Sequence, residues 1–397
     1  MRRSSLVASL IAVLAAPFLL LPTASAASEL VVGLIASRAL GPGAAQTLVG
    51  TAWAAEVRGA GGVFGVPVRL LVADDGGDPR RAVELAEGQI ANGALALVCC
   101  TTPAASRAVA AAAEAAGVTL LAPTPFEPAS LPSYWAFSLA PSDTDALAAI
   151  VADAYRKGRS SLALLAPDLP LTATAHDQLV ALGAIVGIRL VADERYAAGQ
   201  NELRPEALLV ASTRPGAVVV WGFADDLENA ASALRHRGYE GDVYGRSQPF
   251  FPGGEPPAGA RVADMLVAAP PAAALAAGAA ASFTLADSEA VGPCTAAALT
   301  DTARLSAVPG AMRNALVTAP VLAGLDLLRS AFEQVLALQI PTSDAGVLRQ
   351  AVRDALVGLP PTCTGAGSLD LEDGRTSAVQ PRGLALVAVP QTGLTTR

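Results

Sequence analysis

The segment RGAGGVFGVPVRLLVADDGGDP, residues 58–79, shows how this chain is built. A helical stretch at 44–58 leads into its glycine-rich turn. The apolar run 66–73 then predicts a strand buried on both faces, as in a parallel sheet. After an acidic turn, Pro79 follows Asp78, which is typical of a helix start, where a side-chain oxygen accepts from free N–H groups. The segment therefore predicts a helix–strand–helix unit.

The same alternation continues along the chain. Apolar runs typical of strands lie at 30–35, 66–73, 94–99, 118–122, 161–166, 185–191, 217–221 and 262–268. Helical stretches lie at 44–58, 79–91, 104–116, 143–156, 172–182, 203–212 and 225–237. Short strands that alternate with longer helices indicate parallel βαβ units. The predicted fold class is therefore α/β, with mainly parallel sheets flanked by helices.

Proline-marked breaks favour two sheets over one. The first break falls at 140–142, and the second at Pro270-Pro271, where an alanine-rich stretch to residue 281 is interpreted as a connector. Residues 282–310 show no clear pattern. The C-terminal part predicts two helices, at 316–338 and 345–357. A hairpin is predicted after them, with strands at 368–371 and 384–389 and a turn at 373–374.

Composition excludes several classes of protein. The chain has 397 residues with 27 basic and 35 acidic side chains, a net charge of −8. This acidic balance argues against a nucleic-acid surface, which needs clustered Lys and Arg. With 52% hydrophobic and 16% charged residues, the chain is too apolar to be intrinsically disordered. Its length suggests two domains.

The N-terminus has the pattern of a signal peptide. Arg2 and Arg3 precede an apolar run at 6–21, and Ala24-Ser25-Ala26 is a small-residue cleavage site. An uncleaved anchor is the alternative, but the run is short and contains Pro17. We expect residues 1–26 to be removed and the mature protein to be periplasmic.

Four cysteines would then be in an oxidising compartment, which permits disulfides. A bridge between the adjacent Cys99 and Cys100 is disfavoured, because neighbouring Cα atoms about 3.8 Å apart are closer than disulfides prefer. The preferred pair is Cys294 with Cys363, although this argument leaves the other pairings open.

Enzyme signatures are missing from the sequence. His176 and His236 lie on predicted helices without metal-ligand spacing, and no nucleophile elbow or phosphate-binding loop occurs. Gly41-Pro42-Gly43 lacks the third glycine of a dinucleotide site. We therefore expect neither an enzyme nor a cofactor or metal.

Polar loops follow two predicted strands. Thr101 and Thr102 come after the strand at 94–99, and Thr124 and Phe126 after the strand at 118–122. Ligands bind at the carboxyl ends of parallel strands, so these residues are candidates for a site. Capping and turn formation by threonine is the alternative.

The segment 58–79 resembles the helix–turn–strand–DDxGDP region of leucine-binding-type periplasmic proteins, the substrate-binding components of branched-chain amino-acid ABC importers. The likeness continues at 108–118, 122–124 and 140–143. It implies a two-lobe, type I periplasmic binding protein that closes on a small solute. The implied lobes are residues 28–141 with 270–374, and residues 142–269 with 375–397.

The resemblance also implies a ligand site between the lobes. One side is the Thr101-Thr102 and Thr124-Phe126 loops, which would hold a carboxylate, and the other comprises Leu169, Phe223, Arg246 and Gln248. Arg246 stands near the position of the family's acidic residue, so it suggests an anionic or hydrogen-bond-accepting group on the ligand. A surface arginine is the alternative.

The resemblance implies a non-enzymatic partner of an ABC permease in the inner membrane. The ligand would be an amino acid or another small carboxylate-bearing solute. A ligand-sensing receptor of the same fold is the second hypothesis. We expect a monomer that does not bind nucleic acid.

Overall fold

The computed structural model describes residues 29–126, 133–200, 202–222, 224–246, 265–280, 294–340 and 344–388. The strands in these ranges are β1 (Leu30–Ile35), β2 (Val68–Ala73), β3 (Ala96–Cys99), β4 (Thr119–Ala122), β5 (Ala136–Ser138), β6 (Ser161–Pro167), β7 (Arg189–Tyr196), β8 (Ala217–Val220), β9 (Asp242–Gly245), β10 (Met265–Ala269), β11 (Thr362–Thr364), β12 (Gly367–Leu369), β13 (Val379–Gln380) and β14 (Ala385–Ala388). The helices are α1 (Gly41–Gly59), α2 (Pro79–Ala91), α3 (Pro103–Ala116), α4 (Asp143–Arg156), α5 (Pro170–Val186), α6 (Arg204–Ser212), α7 (Ala224–His236), α8 (Pro271–Ala280), α9 (Thr295–Ser306), α10 (Ala315–Ala337) and α11 (Ala345–Val357). The predicted signal peptide lies outside the described residues.

Two mainly parallel sheets form the framework. The first has the strand order β2-β1-β3-β4-β5, and all of its pairings are parallel. The second has the order β14-β10-β9-β8-β6-β7, in which only β14 is antiparallel to its neighbour. Because β1, β3 and β4 are fully buried runs, helices must cover both faces of the first sheet. The predicted α/β class is confirmed.

The helix starts follow the capping signals in the sequence. The Asp78 side chain accepts from the N–H of Arg80 at the start of α2. At the start of α4, Ser142 and Asp145 form a reciprocal capping box. These caps explain why the sequence predicts the bounds of α2 and α4 correctly.

Helix α10 packs in the core. It is the described helix that is long and apolar enough, by length and composition, to cross a membrane, but 72% of its most apolar window is buried inside the protein. The Cβ of a residue at Gly324 would lie 2.9 Å from Leu139, so glycine allows α10 to approach the crossover that follows β5. The interior position of α10 is that of a core helix.

Several predicted elements are wrong. The stretch after Pro270 is the helix α8 and not a connector, and its residues Ala272–Ala274 are buried in the core. The predicted strand at 185–191 overlaps the end of α5, and β7 begins later. The predicted hairpin partner at 384–389 is also wrong, because β14 pairs with β10 in the second sheet while β12 pairs with β13.

Two chain segments run between the sheets, one starting at Ser138 and one at residues 376–378, and they are hydrogen bonded to each other. Ser138, at the end of β5, donates its N–H to Thr376 and accepts from the N–H of Ala378, at 2.6 and 2.9 Å. The Asp145 carboxylate accepts from the hydroxyl of Ser142 at 2.6 Å and from the hydroxyl of Ser377 at 2.7 Å. One buried carboxylate therefore joins both segments. The lobe boundaries at 141/142 and 374/375 stay a prediction.

The cysteines form two disulfides. Cys294 is bonded to Cys363, as preferred from the sequence. Cys99 is bonded to Cys100, so the expectation against this bridge is wrong. The Cα atoms of the two cysteines are 3.1 Å apart, so the short separation on which that expectation rested does not prevent the bridge.

Candidate functional site

The carboxyl edge of the first sheet carries a buried polar chain of four residues. The N–H of Ser37 donates to Thr101 Oγ1 at 2.9 Å, and the Ser37 hydroxyl donates to Asp75 Oδ1 at 2.5 Å. Thr101 Oγ1 donates in turn to Gln46 Oε1 at 2.6 Å. The exposed fraction of these residues is at most 8%. The Thr101 hydroxyl is therefore engaged inside the protein as both donor and acceptor.

Thr124 belongs to a second buried cluster at the same edge. Its hydroxyl lies 2.8 Å from Ser106 Oγ and donates to the carbonyl of Cys100 at 3.4 Å. The N–H of Cys100 donates to Ser106 Oγ at 3.1 Å. Phe126, two residues beyond Thr124, is also buried. The structure thus brings the loops after β3 and β4 together, as predicted.

Thr102 differs from both of these threonines. It caps α3, because its hydroxyl oxygen accepts from the N–H of Ala105 at 3.3 Å. Its hydroxyl hydrogen has no acceptor among the described residues, and the side chain is half-buried. Thr102 is therefore both a helix cap and the threonine that can still donate to a ligand.

Two charged residues meet at the carboxyl edge of the second sheet. Arg246 directly follows β9 and donates from Nη2 to the two carboxylate oxygens of Asp143 at 2.9 and 3.0 Å, and from Nε to Oδ1 at 3.2 Å. The guanidinium also lies over the ring of Trp221, 5.6 Å from its centre. Arg246 is not a free surface arginine, since its side chain is 14% exposed. Leu169 lies at the same edge, half-buried before α5.

The chain from Ser138, at the end of β5, to Asp143, at the start of α4, links the two edges. The Ser138 hydroxyl donates to the carbonyl of Thr124 at 3.3 Å, which places Ser138 at the first edge. Asp143, at the second edge, is five residues further along the chain. Five residues span at most about 17 Å. Ser138 at the first edge therefore lies within about 17 Å of Asp143, the partner of Arg246. Phe223 and Gln248 are outside the described residues.

An acidic group also borders the first edge. Asp74 Oδ1 accepts from the N–H groups of Gly76 and Arg38, each at 3.0 Å, and these bonds lower the pKa of the Asp74 carboxyl. Asp74 is therefore ionised at neutral pH. No group of three or more His, Cys, Asp or Glu side chains in the described part of the chain could hold a metal ion.

Sequence reasoning missed Ser37, Gln46, Asp75 and Asp143 as site residues. Ser37 follows β1 as Thr101 follows β3, so strand ends could have identified it. Asp75 lies in the acidic turn that was quoted for its resemblance. Gln46 lies within α1, where no local pattern marks it. Asp143 was interpreted as a helix start, and only its contact with Arg246 connects it with the site.

The comparisons with known proteins agree with this architecture. The sequence profile of the "periplasmic binding protein" family matches residues 32–377. No curated protein sequence matches the chain.

Solved structures with the same fold cover 91% of this chain. They include a putative branched-chain amino acid ABC transporter protein from Rhodospirillum rubrum (18% identity, 96% of that chain covered, TM-score 0.66) and an extracellular ligand-binding receptor from Rhodopseudomonas palustris HaA2 (18%, 97%, 0.63). A third is the branched-chain amino acid transporter substrate-binding protein LivJ from Streptococcus pneumoniae, in complex with isoleucine (15%, 99%, 0.56).

At these identities the solved structures establish the fold, while the profile spans most of the chain. This protein therefore belongs to the periplasmic binding protein family, with the type I fold of leucine-binding-like proteins.

Proposed function

We propose that this protein is the extracytoplasmic solute-binding component of an ABC importer and not an enzyme. It captures an amino acid or another small carboxylate-bearing solute between its two sheets and delivers it to a permease in the inner membrane. A cleaved signal peptide at residues 1–26 would bring it to the periplasm. The family profile and the transporter proteins among its structural neighbours support this role.

The main support for the proposal is that the carboxyl edges of the two sheets are linked by a short chain segment and carry different polar groups. Hydroxyl groups and the N-terminus of α3 lie at the first, and a half-buried arginine lies at the second. Oxygen-rich solutes suit such donors, because helix N–H groups and hydroxyls bind carboxylates. A ligand that contacts both edges favours the closed state over the open one.

A receptor role is the second candidate, because several structural neighbours are described as extracellular ligand-binding receptors. The same ligand site would then report to a signalling partner. Pull-down from solubilised membranes with the ligand-loaded protein distinguishes the two roles: a permease complex supports transport, and a sensor kinase supports sensing.

Calorimetric titration tests the binding function. The protein is unfolded and refolded to remove any bound solute, and then titrated with amino acids, aliphatic and aromatic carboxylates, amides and small alcohols. Saturable binding of one carboxylate-bearing class at a stoichiometry of about one supports the proposal. No heat with any compound would contradict it, provided that circular dichroism shows the refolded protein to be native.

A further inference from the structure

The Arg246–Asp143 ion pair has a consequence for the charge of the solute. Three hydrogen bonds of 2.9–3.2 Å connect Nε and Nη2 of the guanidinium with the Asp143 carboxylate. A guanidinium binds a carboxylate most strongly through two such parallel N–H groups. Asp143 thus occupies the Nε/Nη2 edge of Arg246, one of the two guanidinium edges through which a second carboxylate on the solute could form parallel hydrogen bonds.

The surroundings of the ion pair also disfavour a second carboxylate on the solute. Asp143 is more exposed than Arg246, with side-chain exposed fractions of 39% and 14%. An anionic group that approached Arg246 would therefore also meet the carboxylate of Asp143, and like charges in contact oppose binding. The face of Trp221 covers another side of the guanidinium. The pair as a whole carries no net charge.

Hydrogen-bond donors nevertheless remain at this edge. Arginine has five N–H donors, and among the described residues the bonds from Arg246 use Nε and Nη2. The Nη1 group can still donate to a neutral oxygen. The indole Nε1–H of Trp221 is buried without a partner in the described part of the protein. An uncharged acceptor such as an amide or hydroxyl oxygen suits this set of groups.

We infer that Asp143 determines ligand selectivity: by neutralising Arg246, it restricts the second-sheet end of the site to an uncharged polar group. This inference rests on the proposed function, in which a solute carboxylate is held at the first sheet. The protein then selects monocarboxylates with a neutral polar end over dicarboxylates of the same length.

Matched solutes test the inference. Calorimetry compares succinamate with succinate, glutaramate with glutarate, and adipamate with adipate, for the wild-type protein and for Asp143→Asn. The amide–acid should bind at least tenfold more tightly than the diacid in the wild type. In Asp143→Asn, which frees the charge of Arg246, this ratio should fall at least tenfold.

Glu29→Gln is the control variant, since it also removes one negative charge, from an exposed pair with Arg69. Its selectivity should equal that of the wild type. A wild-type protein that binds any diacid as tightly as its amide–acid overturns the inference without the need for a variant. An unchanged ratio in a folded Asp143→Asn also overturns it, and both results leave the proposed function standing. Absence of binding by every compound in the larger solute panel would overturn both.

Discussion

Thr101 and Thr102 are adjacent but make different hydrogen bonds, so substitutions should separate their roles. Thr101→Val removes the partner of the Ser37 N–H and of the Gln46 carbonyl while keeping the side-chain shape. Buried groups left unpaired cost about 1–3 kcal/mol. We expect the free energy of unfolding, measured in urea, to fall by about that amount.

Thr51→Val is the control for this substitution. The Thr51 hydroxyl donates to the carbonyl of Thr47 on the exposed face of α1, so its loss should change stability by less than about 0.5 kcal/mol. Equal stability losses for the two variants would contradict the network at the first edge.

Solute binding should depend on Arg246. Arg246→Ala should weaken solute binding at least tenfold, because it removes charge-assisted donors from the second edge. Calorimetry with the solute found in the panel measures this loss. Arg69→Ala removes an exposed arginine from β2 and should leave the affinity unchanged. Unchanged affinity in Arg246→Ala would remove Arg246 from the site.

The Cys294–Cys363 disulfide fixes α9 to β11 across a sequence separation of 69 residues. A cross-link over such a loop restricts the unfolded chain and is worth about 2–4 kcal/mol. Replacing both cysteines by serine should lower the free energy of unfolding by that amount. Peptide mapping without reduction should recover the two segments joined, and free thiols at both positions would contradict the pairing.

Asp301, on α9, should make stability depend on pH. Burial raises the pKa of its carboxyl above the ordinary 3.8, although the N–H of Gly365 donates to Oδ2 at 2.6 Å. The stabilisation of the protonated form is complete below pH 3.8 and is lost as the pH rises through the raised pKa.

Asp301→Asn cannot ionise, and its amide oxygen can still accept from Gly365. The melting temperature of this variant minus that of the wild type should therefore increase from acid toward neutral pH. Parallel melting curves over this range would show that Asp301 does not contribute to the pH dependence.

Local signals account for the elements that could be predicted. The bounds of β1, α2, α4 and α11 follow from apolar runs, proline and capping side chains that lie next to one another in the sequence. Strands β5 and β9 were not predicted, because they lack the aliphatic runs that mark the similarly short strands β3, β4 and β8. Strand β14 was assigned to a hairpin because its partner β10 is more than 100 residues away.

Across the whole molecule, the positions of predicted strand ends were enough to predict most residues of the first edge but few of the second. Thr101 and Thr124 were predicted because parallel strands end at one edge. The contacts of Gln46 with Thr101 and of Asp143 with Arg246 join residues 55 and 103 positions apart, which no local pattern reveals. Each edge of the candidate site therefore depends on contacts between residues that are far apart in the chain.

In the proposed function, a solute binds between the two sheets and draws them together. Small-angle X-ray scattering of the refolded protein, with and without a saturating concentration of the solute found by calorimetry, would detect this closure. We predict a smaller radius of gyration in the presence of the solute, because closure completes contacts from both edges. Identical scattering curves at saturation would contradict binding by closure of the two sheets.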